Sequence, residues 1–238
     1  DQPIAEFVLA SVLAHHKQLH VSRRFQDQQV WRHRETTRTE GTSALVIGTG
    51  GIGRATARLL RAVGVEGTGA GRTARGDDPD FGTVIPTAEL AAHVGDVDTV
   101  VAIAPLTPQT ERMIDATVLS AMRSDAHFVN VGRGQLVDEP ALIAALQRGE
   151  IGAASLDVFT DEPLAPSSPL WSMDNVAISA HMSGDVVGWR DVLADQFLAN
   201  LRRYLSAGSD VSQSLTNIVD KDRGYVVSAT RTGGDSRL

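Results

Sequence analysis

The sequence predicts a doubly wound α/β fold built on a parallel sheet. Short apolar segments that are typical of strands alternate with amphipathic segments that are typical of helices along most of the 238 residues. One apolar segment, residues 43–48, leads directly into a glycine-rich turn and then into a helical stretch. Hydrophobic residues make up 42% of the chain, which excludes general disorder and predicts a packed core. Alternation of this kind implies right-handed crossovers and a sheet that is covered on both faces.

The first predicted element is a helix over residues 3–19, with Pro3 in its first turn. Its apolar residues lie nearly all round the helix, so we expect it to be buried on more than one side. Two packed domains or two subunits would supply those sides, and we therefore expect a homodimer built partly on this helix. A second, polar helix is predicted over about residues 21–35.

From residue 43 onward, strands and helices alternate. The predicted strands are Ser43–Gly48, Val65–Ala70, Thr99–Ala104, His127–Val131, Gly152–Asp157 and Val176–Ser179. The predicted helices are Ile52–Val63, Thr87–Val94, Glu111–Met122, Asp138–Arg148 and Asp185–Leu205. The fourth helix has Asp138 as its N-cap and Gly149 just past its end. The last helix carries apolar residues spaced by four, which we expect to be buried: Trp189, Leu193, Phe197, Leu201 and Leu205.

These elements divide the chain into four parts. Residues 1–40 are predicted to form a helical arm for dimerisation and interdomain contact, and residues 41–184 a dinucleotide-binding domain. Residues 185–206 are predicted to form an interdomain helix. The polar, Gly- and Ser-rich residues 207–238 form a C-terminal segment that we expect to end in a disordered tail.

The composition excludes several functional classes. The chain has no cysteine, which excludes a disulfide scaffold and a thiol nucleophile and is compatible with the reducing cytoplasm, where we expect the protein to work. No apolar run approaches ~20 residues, so we expect no membrane partner. His15, His16 and His20 lie on one helix without a carboxylate that would complete a metal site, and we expect no metal.

The charge is uneven along the chain. The net charge is −7, made up of +5 in residues 1–75 and −12 in residues 76–238. An acidic protein with a basic N-terminal third is a poor general nucleic-acid binder, so we expect no nucleic-acid partner. A local positive field can instead serve a small anion, although we interpret the basic residues between 17 and 38 as a solvated helix face.

The turn from Gly48 to Gly53 matches the pattern G-x-G-x-x-G and lies between a predicted strand and a predicted helix. Gly48 permits the tight turn, Gly50 lets the backbone approach a pyrophosphate, and Gly53 lets the helix pack close to the strand. The helix N-terminus at Gly51 and Ile52 offers free N–H groups to the phosphates. The pattern therefore predicts dinucleotide binding, and the alternative is a glycine-rich turn without a ligand.

The end of the second predicted strand indicates which dinucleotide is bound. NAD sites usually place an acidic residue there to bond the ribose 2′-hydroxyl, but Gly71 stands at this position. Arg72, Thr73 and Arg75 follow, and arginines suit a 2′-phosphate. We therefore expect NADP as the cofactor, with NAD as the second choice. The alternative is that both arginines simply face water.

Three polar residues follow three of the predicted strands. Arg133, Glu162 and His181 stand where the carboxyl ends of parallel strands share one edge of a sheet. Each residue taken alone also has an explanation without a function. Arg133 can be a surface cation, Glu162 a member of a solvated acidic loop, and His181 a histidine at the start of a helix. Together they permit a specific reaction, because a histidine paired with a carboxylate can protonate a developing alkoxide. An arginine can clamp the carboxylate of a 2-keto acid and polarise the adjacent carbonyl.

At these residues the sequence resembles the D-isomer-specific 2-hydroxyacid dehydrogenase family, and within it the glyoxylate/hydroxypyruvate reductase-like branch. The resemblance runs from about Pro3 to Tyr225. Its most specific parts are Ala104–Thr110, Asn130–Gly134 and Leu156–Leu164. It implies a Rossmann-like fold and the reduction of a 2-keto acid to a D-2-hydroxy acid with NAD(P)H. It also implies Arg133 as the substrate-binding arginine, His181 as the acid/base and Glu162 as its partner.

The same resemblance implies further cofactor contacts. Asp157 is implied to help hold the nicotinamide carboxamide, and the loop at Ala104 and Pro105 to line the cofactor. We also assign Gly184, three residues after the histidine, to the cofactor site. One local departure is Ala180, which stands where family members have a proline before the catalytic histidine.

A larger departure lies at the N-terminus. The sequence begins at Asp1 instead of Met, at the helix that follows most of the substrate domain in family members. We therefore expect a fragment or a processed product that keeps the cofactor domain and only a remnant of the second, substrate domain. Such a chain can bind cofactor and still be inactive.

Other classes of protein remain as alternatives. A short-chain dehydrogenase would need a Tyr-x-x-x-Lys pair, but neither Tyr204 nor Tyr225 has a lysine four residues on. A formate dehydrogenase-like enzyme places glutamine where Glu162 stands. The alternative outside enzymology is a dinucleotide sensor, like the corepressors that share this fold, or an inactive cofactor-binding fragment.

Overall fold

A computed structural model describes residues 1–206, 214–221 and 225–226 of the chain. The chain separates into two compact units, Asp1–Asp185 and Val186–Leu238. The expected disordered tail lies outside the described residues. None of the described helices combines the length and the apolar character that crossing a membrane requires.

The first unit is built on an eight-stranded sheet. Its strands are β1 (Ser43–Ile47), β2 (Glu66–Gly71), β3 (Arg75–Asp78), β4 (Gly82–Pro86), β5 (Thr99–Ala102), β6 (His127–Asn130), β7 (Ala153–Leu156) and β8 (Val176–Ile178). Their order is β3-β4-β2-β1-β5-β6-β7-β8, and every neighbouring pair is parallel except β3 with β4. The direction of winding reverses between β1 and β5, so the predicted doubly wound fold is confirmed.

Seven α-helices have both ends within the described residues. They are α1 (Gln2–His16), α2 (Leu19–Asp27), α3 (Gly51–Ala62), α4 (Leu90–His93), α5 (Ala116–Ala121), α6 (Glu139–Arg148) and α7 (Trp189–Ser206). Short 3-10 turns lie at Thr87–Glu89, Val94–Asp96, Gly134–Leu136 and Pro169–Ser172. The second unit contains α7 and a two-stranded antiparallel ladder of β9 (Val219–Asp220) and β10 (Tyr225–Val226).

Both faces of the sheet are covered, as the continuous apolar strands predict. Leu45 and Ile47 of β1 point to one face, where they pack with apolar residues of α4, α5 and α6. Val46 points to the other face, where it packs with Val8 of α1 and Leu60 of α3. Alternate side chains along β1 therefore belong to two separate hydrophobic cores, one on each face of the sheet.

Helix α1 agrees in part with the prediction. Ala5, Val8 and Val12 are fully buried, and α1 packs against α3 on the sheet. The apolar residues on its other sides, among them Phe7 and Leu13, are only half-buried. The burial on several sides that the sequence predicts is therefore incomplete within the described residues.

Several predicted helix bounds are wrong. The helix predicted at Glu111–Met122 begins only after Asp115, whose side chain accepts hydrogen bonds from the backbone N–H groups of Thr117 and Val118. The preceding residue, Ile114, is fully buried and forms a bridge with Val137, so the chain there is extended. Periodicity alone could not reveal this distant partner.

Other bounds differ for local reasons. The polar helix predicted over 21–35 ends at Asp27, and Gln29 adopts a left-handed backbone with φ 55°. The helix predicted at Asp185–Leu205 begins at Trp189, directly after Gly188 with φ 84°. The helix predicted at 87–94 is broken into 3-10, α and 3-10 turns. Helix α6 is as predicted, with Asp138 accepting from the N–H of Ala141 and Gly149 at φ 67°.

The apolar stripe of α7 is not buried. Leu193, Phe197, Leu201 and Leu205 are between 39 and 74% exposed, and only Trp189 is half-buried. A spacing of four identifies an apolar side of a helix but does not supply a surface that covers it. The expectation of a buried stripe is therefore wrong for the described residues.

Candidate cofactor and substrate site

The glycine-rich turn connects β1 to α3, and two of its glycines have no room for a side chain. A Cβ at Gly53 would lie 1.9 Å from the carbonyl oxygen of Gly48. A Cβ at Gly48, whose φ is 116°, would lie 2.8 Å from the backbone nitrogen of Ala104. The turn is therefore closed tightly on itself and lies against the loop that follows β5.

The middle of the same turn is open. A Cβ at Gly50 would meet no atom within 4 Å, and Gly50 is the N-cap of α3 without a side-chain cap. The next residue, Gly51, is not open, because a Cβ there would lie 2.3 Å from a carboxylate oxygen of Asp1. The Asp1 carboxylate therefore lies against the start of α3, although no side chain caps the helix by a hydrogen bond. The open backbone at Gly50 and the uncapped helix N-terminus fit a dinucleotide pyrophosphate, which would replace the Asp1 carboxylate beside Gly51.

The loop after β5 is held by its own hydrogen bonds. The hydroxyl of Thr110 donates to the carbonyl oxygen of Pro105 at 2.7 Å, and the N–H of Thr107 donates to that hydroxyl oxygen at 2.8 Å. Ala104 is buried at the base of this loop, next to Gly48. The predicted cofactor-lining residues Ala104 and Pro105 therefore adjoin the glycine turn.

The end of β2 lies beside the same turn. Gly71 is buried there, and a Cβ on it would lie 3.1 Å from the hydroxyl oxygen of Thr49. Arg72 and Thr73 follow on the exposed surface. Arg75 is half-buried, and its Nε donates to a carboxylate oxygen of Asp78 at 2.8 Å. One of the two predicted phosphate-binding arginines is thus engaged by an acidic neighbour.

A charged network that the sequence analysis missed orders this region. Arg54 of α3 donates to both carboxylate oxygens of Asp78, at 2.9 and 3.0 Å, and also to Asp80 at 2.9 Å. The hydrogen bonds from Arg54 hold the pKa of Asp78 well below its usual value, against the opposing effect of burial. The run of acidic residues around Asp78 was the available signal, but it does not indicate a partner on α3.

Arg133 follows β6 in a short turn that Asn130 organises. The Asn130 side chain accepts from the N–H of Gly132 and donates to the carbonyl oxygen of Arg133, both at 3.1 Å. The Arg133 guanidinium is exposed and donates to the carbonyl oxygen of Gly132 at 2.6 Å. Within the described residues it makes no ion pair, so its charge is available to an anion from solvent.

His181 and Glu162 are brought together. The Nδ1 atom of His181 lies 2.7 Å from Oε2 of Glu162, although the residues follow different strands. The other carboxylate oxygen of Glu162 accepts from the N–H of Phe159 at 3.0 Å. Burial alone would raise the pKa of Glu162, but the hydrogen bonds from His181 and Phe159 hold it below its usual value. An ionised carboxylate beside a half-exposed imidazole is the arrangement of an oriented acid/base.

Asp157 anchors the loop that carries His181. Its carboxylate is fully buried and accepts from the hydroxyl of Ser179 at 2.5 Å and from the N–H groups of Met182 and Ser183 at 2.9 Å each. Burial alone would raise the pKa of Asp157, but these hydrogen bonds keep it below its usual value. The N–H of His181 donates to the Asp157 carbonyl oxygen at 2.8 Å, and His181 adopts a left-handed backbone with φ 52°.

Both Asp157 oxygens are therefore occupied by this loop. The contact predicted between Asp157 and the nicotinamide carboxamide stays a prediction. Gly184, at the end of the same loop, lies against Ile4 of α1, since a Cβ on it would be 3.4 Å from that side chain. No group of three His, Asp or Glu side chains suited to a metal ion occurs in the described parts of the chain.

The turn after β6 and the loop after β7 are in direct contact. A Cβ at Gly134 would lie 1.8 Å from the carbonyl carbon of Phe159, so the turn that carries Arg133 packs on the backbone that leads to Glu162. The strand ends that the sequence assigns to one rim are thus neighbours in the fold. The glycine turn lies at the end of β1 in the same parallel sheet.

Comparison with known proteins bears on this site. Residues 9–183 match the family model of the D-isomer specific 2-hydroxyacid dehydrogenase NAD binding domain. Glyoxylate/hydroxypyruvate reductase A of Arabidopsis thaliana is 32% identical over 212 residues, which cover 87% of this chain and 66% of that protein. The chain spans between 55 and 68% of the length of four curated relatives that it matches.

Solved structures give the same picture. A D-isomer specific 2-hydroxyacid dehydrogenase from Xanthobacter autotrophicus, in complex with NADPH and MES, is 35% identical with a TM-score of 0.80, over 94% of this chain and 89% of that one. An NADPH-dependent glyoxylate/hydroxypyruvate reductase from Sinorhizobium meliloti, in complex with NADP and sulfate, is 28% identical with a TM-score of 0.82, over 94% of this chain and 69% of that one.

Proposed function

Because the chain belongs to the D-isomer-specific 2-hydroxyacid dehydrogenase family, we propose that it transfers a hydride between a nicotinamide dinucleotide and a 2-keto acid, giving a D-2-hydroxy acid. The observation that carries this proposal is the contact of 2.7 Å between His181 and Glu162. It lies at the carboxyl edge of a sheet whose first turn is shaped for a pyrophosphate.

The cofactor residues proposed are those of the glycine turn and its neighbours: Gly48, Gly50, Gly51, Ile52, Gly53, Arg72, Thr73, Arg75, Ala104, Pro105, Asp157 and Gly184. The open backbone at Gly50 and the uncapped start of α3 support them. When bound, the nicotinamide supplies or accepts the hydride. The chain's part is to bind the phosphates and to orient the ring toward the rim.

His181 is proposed to move the proton. The Glu162 carboxylate can only accept a hydrogen bond, so the Nδ1 atom of His181 carries the hydrogen that lies between them. The other ring nitrogen, Nε2, is then the atom that gives a proton to the alkoxide oxygen and takes it back in the reverse direction. Glu162 keeps the ring in this orientation through the reaction.

Arg133 is proposed to bind the substrate. Its guanidinium is exposed at the end of β6 and has no ion-pair partner among the described residues. A planar guanidinium binds a carboxylate with two parallel hydrogen bonds, which fixes the adjacent carbonyl of a 2-keto acid. This contact would also polarise that carbonyl toward hydride attack.

NADP is the proposed cofactor, with NAD second. Gly71 leaves the position of the ribose-binding acid empty, and exposed Arg72 follows directly. The similar structures from Xanthobacter autotrophicus and Sinorhizobium meliloti are complexes with NADPH and with NADP, which supports this interpretation of the strand end. Arg72 is the first arginine after Gly71, and Arg75, which also donates to Asp78, is the second.

The chain is further proposed to act as a homodimer in the cytoplasm. Residues 1–40 would form the dimerisation arm, residues 41–184 the dinucleotide-binding domain, 185–206 an interdomain helix and 207–238 a C-terminal segment. The half-buried outer side of α1 and the fully exposed Trp31 support an assembly on this arm. The absence of cysteine agrees with a reducing compartment.

The test is a panel of 2-keto acids with NADPH and with NADH, followed by nicotinamide absorbance. The unmodified chain is run beside a fusion to the part of the Arabidopsis relative that it does not cover. Turnover by either protein that His181→Ala abolishes supports the proposal. Cofactor binding by both proteins without turnover of any acid would overturn it in favour of a dinucleotide sensor.

A further inference from the structure

Both backbone polar groups of Thr160 are held by side chains from another part of the fold. The amide nitrogen Nε2 of Gln135 donates to the Thr160 carbonyl oxygen at 2.8 Å. The N–H of Thr160 donates to a carboxylate oxygen of Glu139 at 3.0 Å. Gln135 lies in the 3-10 turn after β6 and Glu139 is the first residue of α6, whereas Thr160 lies in the loop after β7.

The loop that these side chains hold is the one that presents Glu162. Thr160 precedes Glu162 by two residues, and the neighbouring N–H of Phe159 donates to Glu162 at 3.0 Å. Gly134 packs so closely on the peptide between Phe159 and Thr160 that a Cβ would lie 2.3 Å from the Thr160 nitrogen. The peptide is thus fixed by one contact surface and two side chains.

Local structure does not explain these two side chains. Helix α6 is already capped by Asp138, whose carboxylate accepts from the N–H of Ala141 at 3.1 Å. Glu139 is half-buried, and its carboxylate accepts a hydrogen bond from a loop residue 21 positions away in sequence. An ionised acceptor for a backbone N–H makes a stronger hydrogen bond than a neutral one.

We propose that Gln135 and Glu139 are positioning residues. Through their hydrogen bonds to the carbonyl oxygen and the N–H of Thr160, they hold Glu162 against His181 and keep this pair at a constant distance from Arg133. The inference rests on the proposed function of the site. A residue misplaced by about 1 Å can cost up to about 100-fold in rate, so a rigid link between the two strand ends has value for the reaction.

The first arm of the test measures activity. Glu139→Ala is expected to lower kcat about tenfold or more, with KM for NADPH unchanged. Glu139→Gln keeps an oxygen that accepts from Thr160 and should stay within about threefold of the unmodified chain. Gln135→Glu loses the donor and places a carboxylate against the Thr160 carbonyl, so it should also lower kcat. Gln147→Ala, an exposed change on the same helix, is the matched control.

A double-mutant cycle separates positioning from general damage. In a Glu162→Gln background, Glu139→Ala should lower kcat by less than about twofold, because its effect passes through Glu162. A full additional loss in that background, or a loss as large in Gln147→Ala, would overturn the proposal.

The second arm does not need activity. Nitrogen NMR of the His181 ring reports which nitrogen carries the hydrogen, and amide exchange reports the Phe159 N–H. Glu139→Ala and Gln135→Glu should weaken the Nδ1–H signature and speed exchange at Phe159, whereas Gln147→Ala should not. If these signals change in a chain without turnover, the positioning holds and the proposed reaction fails. Unchanged signals overturn the positioning whatever the activity.

Discussion

The two terminal nitrogens of Arg54 grip the two carboxylate oxygens of Asp78, at 2.9 and 3.0 Å. The Asp78 side chain is only 3% exposed, so this pair joins helix α3 to the polar strand β3 within the protein. The same helix starts at the glycine turn, and the same strand begins at Arg75, shortly after the end of β2 at Gly71. One ion pair therefore links the helix and the strand that lie beside the proposed phosphate-binding residues.

Removing this pair should destabilise the fold. Arg54→Ala leaves the buried Asp78 carboxylate with only its Arg75 and backbone partners, so we expect a loss of about 2–3 kcal/mol in the free energy of unfolding by urea. Arg58→Ala removes an exposed contact to Asp80 and should cost less than about 1 kcal/mol. Equal losses in the two variants would show that the buried pair is not special.

Protonation of His15 on α1 should contribute to the loss of folding stability at low pH. Burial first, and then His16 and His20, lower the pKa of His15 to about 4, with Asp125 opposing them. His15 stacks at 4.3 Å on His127, whose pKa burial also holds well below its usual value.

A histidine whose pKa is lower in the folded than in the unfolded state binds more protons when unfolded. Stability should therefore fall as the pH drops below about 6.5 and continue falling to about 4. The free energy of unfolding should fall between pH 7 and pH 4.5 in both proteins. We expect this fall to be about 1–2 kcal/mol smaller in His15→Phe than in the unmodified chain. Urea unfolding at both pH values is the measurement, and parallel losses in the two proteins would contradict the assignment.

Turnover should depend on the pair at the rim. His181→Ala or Glu162→Gln is expected to lower kcat about 100–10,000-fold, because the proton donor or its orientation is lost. Cofactor affinity, measured by fluorescence titration, should change little, since neither side chain lies in the glycine turn. Full turnover in His181→Ala would remove His181 from the mechanism.

Cofactor choice should depend on Arg72. One charge-assisted hydrogen bond to a 2′-phosphate contributes about 1.5–3 kcal/mol, which predicts at least about a tenfold preference for NADPH over NADH. Arg72→Ala should erase most of that preference and leave NADH binding nearly intact. Gly71→Asp should push further toward NADH, with a small shift of Thr49 to make room.

Titration of both cofactors against the three proteins is the measurement. Arg75→Ala is a fourth protein in the titration and tests the second arginine proposed to contact the phosphate. Tighter binding of NADH than of NADPH by the unmodified chain would mean that the arginines do not bind the 2′-phosphate.

Assembly is the fifth prediction. Sedimentation of the unmodified chain at micromolar concentration should give a dimer. Trp31→Glu places a charge where a large exposed aromatic side chain stands and should raise the dimer dissociation constant at least about tenfold. Arg23→Ala, on the exposed face of α2, is the control. A monomer at that concentration would exclude the homodimer.

The sequence predicted the parts of the fold that have a local signal. The six apolar strands are all found, because buried parallel strands are continuous apolar runs. Strand β3 was missed because the residues Arg75–Asp78 are polar and their partner Arg54 lies more than 20 positions away. Strand β4 was missed because only Val84 and Ile85 form its buried apolar part, which is too short a run to indicate a strand. The start of α5 was missed for a similar reason, because Ile114 pairs with a distant residue.

The candidate site shows the same division. His181 and Glu162 could be placed together because the ends of parallel strands gather at one edge. The contacts of Gln135 and Glu139 could not be foreseen, since each holds the backbone of a residue whose identity does not matter to the bond. Side-chain to backbone contacts between distant loops leave no pattern in a single sequence.

The two edge strands of the sheet also affect how readily the protein aggregates at high concentration. Strand β3 has four residues, a register shift against β4 and the exposed Asp77 with a left-handed φ of 54°. At the opposite edge, β8 has only three residues. A short, charged or irregular edge offers a poor template for strand addition by another molecule. Addition of a strand from another molecule is therefore disfavoured at both edges of the sheet.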